Sequence, residues 1–440
     1  MTNAPPLRDD CFVMPRGVKW TPVEEALEKL HKSLKNITKT SVIPVSKCCG
    51  RILAEDVVAQ TNHPPFSNSA VDGYGFALSA LPDKGEIALK LTTGRSAAGN
   101  FYFDKVPAGY GLRILTGAQI PDGVDTVILE EDVNKIKDII YFNSGLKKGA
   151  NIRAKGEDIL SGSTILQKSK KLSPADLGVL ASSGVKTIKV YDQLKVAIIS
   201  TGDELVELGN YNRKSQIVDA NRPMLKAQIE QWGYTILDFG IVGDEEALIE
   251  SVLNEASRTS DIILTTGGAS AGDEDHISRL LSQKANLQTW RIALKPGRPL
   301  ALALWNDIPV LGLPGNPVAA MVCTHIFAFP AFSFLAGAGW LEASGINVPA
   351  AFSKNKKAGR TEYLRAKLNA DGHAEIFDSE GSGRISGLSW ADGLVAQATP
   401  DLLTFPSLVT DGKPLTLVTA GVLMKLRVHS GHSLECAEAL

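Results

Sequence analysis

Between residues 194 and about 330 the chain alternates strand-length apolar runs with amphipathic helices, and no other feature limits its folding so narrowly. LKVAIIS opens the series, followed by a polar loop and a helix ending near Gln231-Trp232-Gly233. YTILDFGIV reads as the next strand. EEALIESVLNEAS then places Leu248, Ile249, Val252, Leu253 and Ala256 on one helical face. DIILTT, a glycine loop and a helix come next, and PVLGL is the last strand before an apolar helix. Neighbouring parallel strands need a crossover, and the intervening helices supply it. The expected core is therefore α/β, a doubly wound, mostly parallel sheet. Loops leaving the strand C-termini of such a sheet share one edge, where ligands bind. Here they are Thr201-Gly202-Asp203-Glu204, Gly267-Gly268-Ala269-Ser270-Ala271-Gly272 and Pro314-Gly315-Asn316-Pro317.

The flanks read differently. At 440 residues the chain is too long for one core, and about two to four domains are expected. Residues 1–60 are an N-terminal helix and linker segment expected to pack with the central domains. Thr21 is placed to cap that helix, with Pro22 at its first position and Glu24 completing a capping box. Ala26, Leu27, Leu30 and Leu34 form its apolar stripe. Residues 61–158 are an inserted β-rich domain, in which EIALKL, DTVILEE and IIYFN are separated by turns such as Pro121-Asp122-Gly123. Residues 159–192 are a linker segment, residues 193–335 the α/β domain, and residues 345–430 a separate small β domain. There, Asn369-Ala370-Asp371-Gly372 predicts a hairpin between TEYLRAKL and HAEIFD.

Composition removes several function classes. The 46 basic and 48 acidic residues leave a net charge of −2, so no overall field draws nucleic acid or an anionic membrane. Cys11, Cys48, Cys49, Cys323 and Cys436 form no framework, which argues against a secreted disulfide scaffold. Asp9, Asp10 and prolines replace a signal core, and a cytoplasmic location is expected. Met321 to Leu341 is apolar enough to need a membrane check, but Pro330 and two glycines interrupt it. A buried helix of a soluble core is the better reading.

Chemistry is expected at the shared edge. The glycine loop runs from a strand into a helix, so amides near Ser270 to Asp273 can cradle an anion. By itself such a loop is better read as a tight turn, with Asp273, Glu274 and Asp275 capping the helix and complementing its dipole. Glu204, Asp203, Asp244 and Asp275 fall on the same edge. Carboxylates beside a phosphate repel it unless a divalent cation bridges them, which points to magnesium or a similar ion. Seven histidines without a Cys/His cluster make zinc a poor candidate. Arg291, Lys295 and Arg298 in TWRIALKPGRPLAL can balance an oxyanion or stand as solvated charges. Asp72, Thr116, Glu157 and Asp158 lie in turns of the N-terminal β region, where a purely local turn role is the stronger reading of each alone.

PPFSNSAVDGYGFA, RILTGAQIPDGVDTVILEED, KGEDI, STGDEL, DANR, TTGGASAGDEDHI, KPGRPL, GLPGNPVAA and GRTEYLR occur in one order between residues 64 and 365, within a likeness that covers about residues 20 to 425. In that order they resemble the molybdopterin molybdenumtransferase (MoeA) family, which includes the E domain of gephyrin. The resemblance implies a homodimer of four-domain subunits, a molybdopterin-binding type of α/β domain and a C-terminal β barrel. It implies a transferase that inserts molybdate into adenylylated molybdopterin and releases AMP. Asp72, Thr116, Asp158, Glu204, Asp244 and Asp275 are then the candidate catalytic residues, and Glu204, Asp244 and Asp275 the candidate magnesium ligands. Gly267, Gly268, Ser270, Gly272, Arg291, Lys295, Arg298, Pro314, Gly315 and Asn316 are the candidate substrate-binding positions. The molybdopterin adenylyltransferase and molybdoenzyme apoproteins are candidate partners. A gephyrin-like scaffold, or a pterin or molybdate carrier without turnover, is the alternative. The chain departs from the family pattern at Ser67, often Asp, at Val71, often Met, at Arg298, a frequent Lys, and at Ala319, where Ser is usual.

Overall fold

A computed structural model describes residues 20–36, 39–210, 215–267, 276–285, 288–297, 299–343, 345–352, 354–355, 360–379, 381, 383–397, 408–409 and 414–418. They fall into two compact units: residues 40–190, and the described residues up to 39 together with those from 191 onward.

Helix α1 (Val23–Ser33) buries Ala26, Leu27 and Leu30 of the expected stripe together with Val23, and Leu34 is buried at the cap just beyond its end. Its start differs from expectation. Pro22 occupies the cap position without a side-chain bond, and Thr21 forms a backbone bridge to Ile292. The Thr21 carbonyl accepts the Ala293 N–H at 2.8 Å, so strand-like pairing holds Thr21 extended and takes it from the cap. His31 stacks on Trp340 with ring centroids 4.4 Å apart.

The unit 40–190 carries a six-stranded sheet. Its strands are β1 (Gly73–Phe76), β2 (Glu86–Ser96), β3 (Tyr110–Ile114), β4 (Thr126–Leu129), β5 (Asn134–Ile136) and β6 (Ile139–Asn143), in the order β4-β1-β3-β2-β6-β5. Tyr74, Phe76, Ile87, Leu89, Ile140 and Phe142 fill one face. A Cβ at Gly73 would lie 1.8 Å from the Ile128 carbonyl oxygen, so only glycine lets β1 run this close to β4. A second core joins Cys48, Leu53 and Val57 to Leu166, Leu172, Leu180 and Val190. Helix α2 (Pro174–Ser182) enters that core behind a capping box of Ser173 and Asp176. This packing draws residues 40–60 together with the segment after 160, whereas sequence patterning groups them with the N-terminal helix.

In the other unit the α/β alternation is realised as β7 (Lys195–Thr201), α3 (Asn221–Gln231), β8 (Thr235–Val242), α4 (Glu246–Thr259), β9 (Ile262–Thr266), α5 (His276–Lys284), β10 (Gln288–Arg291), β11 (Pro299–Trp305), β12 (Ile308–Leu313) and α6 (Pro317–Cys323). The sheet order is β8-β7-β9-β12-β11-β10. β7, β8, β9 and β12 run parallel, while β11 and β10 add an antiparallel edge. These two strands lie outside the runs that sequence patterning identifies. Asn306 and Asp307, both with positive φ, make the β11–β12 hairpin turn. On α4, Ile249, Leu253 and Ala256 are buried with Val252 packed beside them, but Leu248 is 46% exposed. One residue is about 100° of helical rotation, so a stripe centred on Ile249 and Leu253 turns Leu248 outward.

The apolar run Pro317–Leu335 lies mostly inside the protein. It comprises α6, a π-helical stretch over residues 324–328, and α7 (Phe329–Leu335). Beyond it, β13 (Gly345–Pro349), β14 (Thr361–Leu368), β15 (Ala374–Ile376), β16 (Gly393–Gln397) and β17 (Pro414–Val418) form a curled sheet. Successive pairing runs β13-β17-β16-β14-β15, and a bridge between Ala350 and Ala374 brings the end of β13 back to β15. The expected turn at residues 369–372 joins β14 and β15, with Gly372 at φ +75°.

His325 lies buried in the π-helical stretch, edge-on to Trp232 at 5.3 Å. Burial pushes its imidazole from an ordinary 6.5 down to about 4. Between those values the unfolded chain takes up a proton that the folded chain refuses. The stability tied to this group is complete above pH 6.5 and declines as pH falls toward 4. From pH 7 to pH 5 the protein should lose roughly 2 kcal/mol more than a His325→Gln variant in urea unfolding. Parallel losses in the two proteins would show that the folded imidazole titrates normally.

Candidate functional site

The parallel register sets where the rim residues meet. Thr201 sits beside Val242, Ser200 beside Thr266, and Thr266 beside Leu313, so four strands end at one level. The loops carrying Asp203 and Glu204, Asp244, Gly267, and Pro314 to Asn316 start from that level. Asp203 and Asp244 exchange bonds. The Asp244 N–H donates to Asp203 Oδ1 at 3.0 Å, and the Asp203 N–H donates to Asp244 Oδ2 at 3.2 Å. The Glu204 carboxylate folds back over Gly202, whose missing Cβ would lie 2.4 Å from Glu204 Oε2. Gly243 leaves similar room for Asp203. Small residues thus leave room for Asp203, Glu204 and Asp244 along one edge.

Gly267 has φ +87°, and a Cβ there would strike the Thr201 carbonyl oxygen at 2.5 Å. The Gly315 carbonyl accepts the Asn221 side-chain amide at 2.7 Å, tying that loop to the first turn of α3. Asp219 in turn accepts the Arg222 N–H at 3.1 Å, and Arg222 forms ion pairs with Asp219, Glu207 and Asp238. The DANR string is therefore a support for the rim. Asn316 uses its side-chain oxygen to cap α6, accepting the Val318 and Ala319 N–H groups at 3.1 Å each. That places Asn316 as a structural cap of the loop. Replacing Asn316 with Ala should lower unfolding free energy by about 1 kcal/mol in urea titrations. No loss would mean that water caps the helix equally well.

Lys295 and Pro296 enter a junction with the curled sheet, where Leu294–Lys295 pairs parallel with Thr361 and Glu362. Lys295 Nζ lies 3.3 Å from Glu362 Oε1, with both side chains largely buried. A small cavity beside this pair is lined by Lys295, Pro296, Val318, Tyr363, Arg365 and Phe377, among others. Arg365 is buried, donates to the Arg384 and Ser379 carbonyls at 2.6 and 2.5 Å, and stacks over Phe377. Sequence patterning missed Glu362 and Arg365 as neighbours of Lys295, although GRTEYLR contains both. Nothing local links residue 295 to residues 362 and 365, so only the strand pairing reveals them. Gly268, Ser270, Gly272, Asp275 and Arg298, and the side chain of Arg291, lie outside the described residues.

In the unit 40–190, backbone bonds lace three turns into one surface. Ser69 and Asn68 pair with Ile152 and Arg153, the Gly117 N–H donates to the Ser69 carbonyl, and the Gly156 N–H to that of Pro64. Asp72, Thr116 and Asp158 are exposed on these turns. Asp72 Oδ1 accepts the Thr116 N–H at 2.7 Å and the Thr116 hydroxyl at 2.6 Å. The Thr116 hydroxyl bond, then the backbone bond, hold the Asp72 carboxyl below its usual range. Ser67, where the family often has Asp, accepts the Lys155 N–H at 3.1 Å. Substituting Thr116 with Val should raise the Asp72 midpoint in a carbon-13 titration of its carboxyl. An unmoved midpoint would discount the hydroxyl.

Among the described residues no group of three or more His, Cys, Asp and Glu side chains forms a metal cage. Magnesium does not require one, because it is commonly held by one or two carboxylates plus substrate phosphates and water. The hard oxygen donors of Glu204 and Asp244 suit that mode.

Three family models cover most of the chain. The MoeA N-terminal region (domain I and II) matches residues 21–184, a probable molybdopterin binding domain residues 197–333, and the MoeA C-terminal region (domain IV) residues 347–396. The chain is similar to a molybdopterin molybdenumtransferase of Haemophilus influenzae, 35% identical over 358 residues, covering 80% of this chain and 88% of the relative. A molybdopterin molybdenumtransferase of Nostoc is 32% identical over 353 residues, covering 78% and 80%. The crystal structure of a molybdopterin biosynthesis moeA protein from Pyrococcus horikoshii OT3 is 28% identical, with a TM-score of 0.76. That alignment covers 91% of this chain and all of the other.

Proposed function

The chain belongs to the MoeA family of molybdopterin molybdenumtransferases, and on that premise we propose that it inserts molybdate into adenylylated molybdopterin with magnesium, releasing AMP. The observation that carries this reading is the gathering of Asp203, Glu204 and Asp244 at the rim where the parallel strands end. A soluble, cytoplasmic homodimer is the proposed working form. In it, Asp72, Thr116 and Asp158 of one protomer serve the α/β rim of its partner.

Glu204, Asp244 and Asp275 would hold magnesium, which when bound supplies neutralisation of the phosphoanhydride charge. The protein's own groups do the rest. Amides of the loop after β9 and the side chain of Ser270 receive substrate oxyanions. Arg291 and Arg298 supply fixed positive charge for molybdate, and Lys295 does so while balanced against Glu362. Asp72, aimed by Thr116, accepts a hydrogen bond from the reacting groups. Rate enhancement then comes from positioning and electrostatic stabilisation, with no covalent enzyme intermediate.

The test is incubation of the purified chain with adenylylated molybdopterin, molybdate and magnesium, assaying AMP and assembled cofactor. Asp275→Asn should reduce AMP release by about 100-fold while leaving the dimer intact by light scattering. Chelation of magnesium should act alike on the unaltered chain. Unchanged AMP release in the variant would remove its metal role, and failure of the folded native chain to turn over would favour the scaffold or carrier reading.

A further inference from the structure

Arg113 and Glu130 take no part in the chemistry above, yet they enclose the strand that presents Asp72. Arg113 lies on β3 directly across from Tyr74 of β1. Its Nη1 donates to the Gly73 carbonyl at 3.1 Å, its Nη2 is bonded to the Glu130 carboxylate, and its guanidinium carbon sits 5.0 Å from the Tyr74 ring centroid. Glu130 closes the circuit through its own N–H, which donates to the Asp72 carbonyl at 3.1 Å. Thr116, three residues beyond Arg113, binds the Asp72 carboxylate. Asp72 is therefore gripped at its main chain by Glu130, at the next peptide by Arg113, and at its side chain by Thr116.

Gly73 explains the need for such a grip. Because a Cβ there would collide with the Ile128 carbonyl, the residue after Asp72 has no side chain with which to anchor the strand end. Glycine is also the residue whose peptide turns most freely. Arg113 Nη1 on the Gly73 carbonyl, with Nη2 held by Glu130, adds a side-chain restraint to the strand pairing there. Lysine has neither the fork nor the flat face that covers Tyr74. The Arg113 side chain is 23% exposed and that of Glu130 50%, so their attraction adds little to global stability. A fixed orientation is what the arrangement provides.

Resting on the reading that Asp72 and Thr116 serve the transfer, we propose that Arg113 and Glu130 form a positioning clamp that fixes the direction of the Asp72 carboxylate. Neither residue touches the reacting atoms. Both act through Asp72.

Steady-state AMP release by the full chain tests this in Asp72→Asn, Arg113→Gln, Arg113→Lys, Glu130→Gln and the Arg113→Gln/Glu130→Gln double variant. Arg113→Gln should lose about 10- to 100-fold in kcat, as misplacement of a reacting group does, with KM and melting temperature held. Arg113→Lys should not restore the rate. The double variant should be no slower than Arg113→Gln alone, because the two residues act as one unit. If Asp72→Asn is inactive while Arg113→Gln and Glu130→Gln keep the native kcat, the clamp is wrong and the role of Asp72 stands. Native kcat in Asp72→Asn overturns both. A rate loss that tracks lowered melting and is reversed by lysine marks a plain surface contact and overturns the clamp. Should Arg113→Gln not fold, Arg113→Lys decides: a kcat loss at unchanged KM supports the clamp, and native kcat refutes it.

Discussion

Four parallel strands ending in register govern the arrangement at the α/β rim. Thr201 stands beside Val242, and Ser200, Thr266 and Leu313 are linked through β7, β9 and β12. Residues separated by tens of positions thereby leave the sheet together. The close approach creates a difficulty of its own, because acids of like charge meet there. Asp203 and Asp244 meet it by each accepting the other's backbone N–H, which places partial positive charge beside each carboxylate. The other carboxylate oxygens, Asp203 Oδ2 and Asp244 Oδ1, take no part in this exchange.

Glycines make these approaches sterically feasible in both units. Gly202 and Gly267 admit Glu204 and the Thr201 carbonyl at the rim, and Gly73 admits the Ile128 carbonyl beneath Asp72. In each case a carboxylate stands within two residues of the glycine, or a backbone oxygen fills the space that a Cβ would take. The supports then come from charged side chains outside the chemistry. Arg222 ties α3 to Asp219 and Asp238, and Arg113 ties β1 to Glu130. Lys295 meets Glu362 only because β14 pairs with the short strand at Leu294.

Much of this was legible before any coordinates. The period of about 3.6 in Ile249, Leu253 and Ala256 and the apolar strand runs sufficed for the α/β sheet, because burial of one face leaves few alternatives. Local signals failed where pairing overrode them. Thr21, a good cap by type, is held extended by Ile292. The basic string around Arg291 and Lys295 reads as surface charges about a turn, yet Gln288–Arg291 is added antiparallel to the edge of the α/β sheet and Leu294–Lys295 pairs parallel with the curled sheet. Leu248 belongs to the apolar pattern but lies one residue off the buried stripe.

Sequence alone determined the alternation of the four parallel strands with their helices, the loops that bear acids and glycines, and the likeness to one family, since periodicity and motif order are properties of the chain itself. Tertiary structure decided which of those residues touch. The bond of Thr116 to Asp72, the exchange between Asp203 and Asp244, and the pairing of Lys295 with Glu362 depend on strand register. Register is set by the packing of whole faces, and a one-residue slip would turn each of these side chains away.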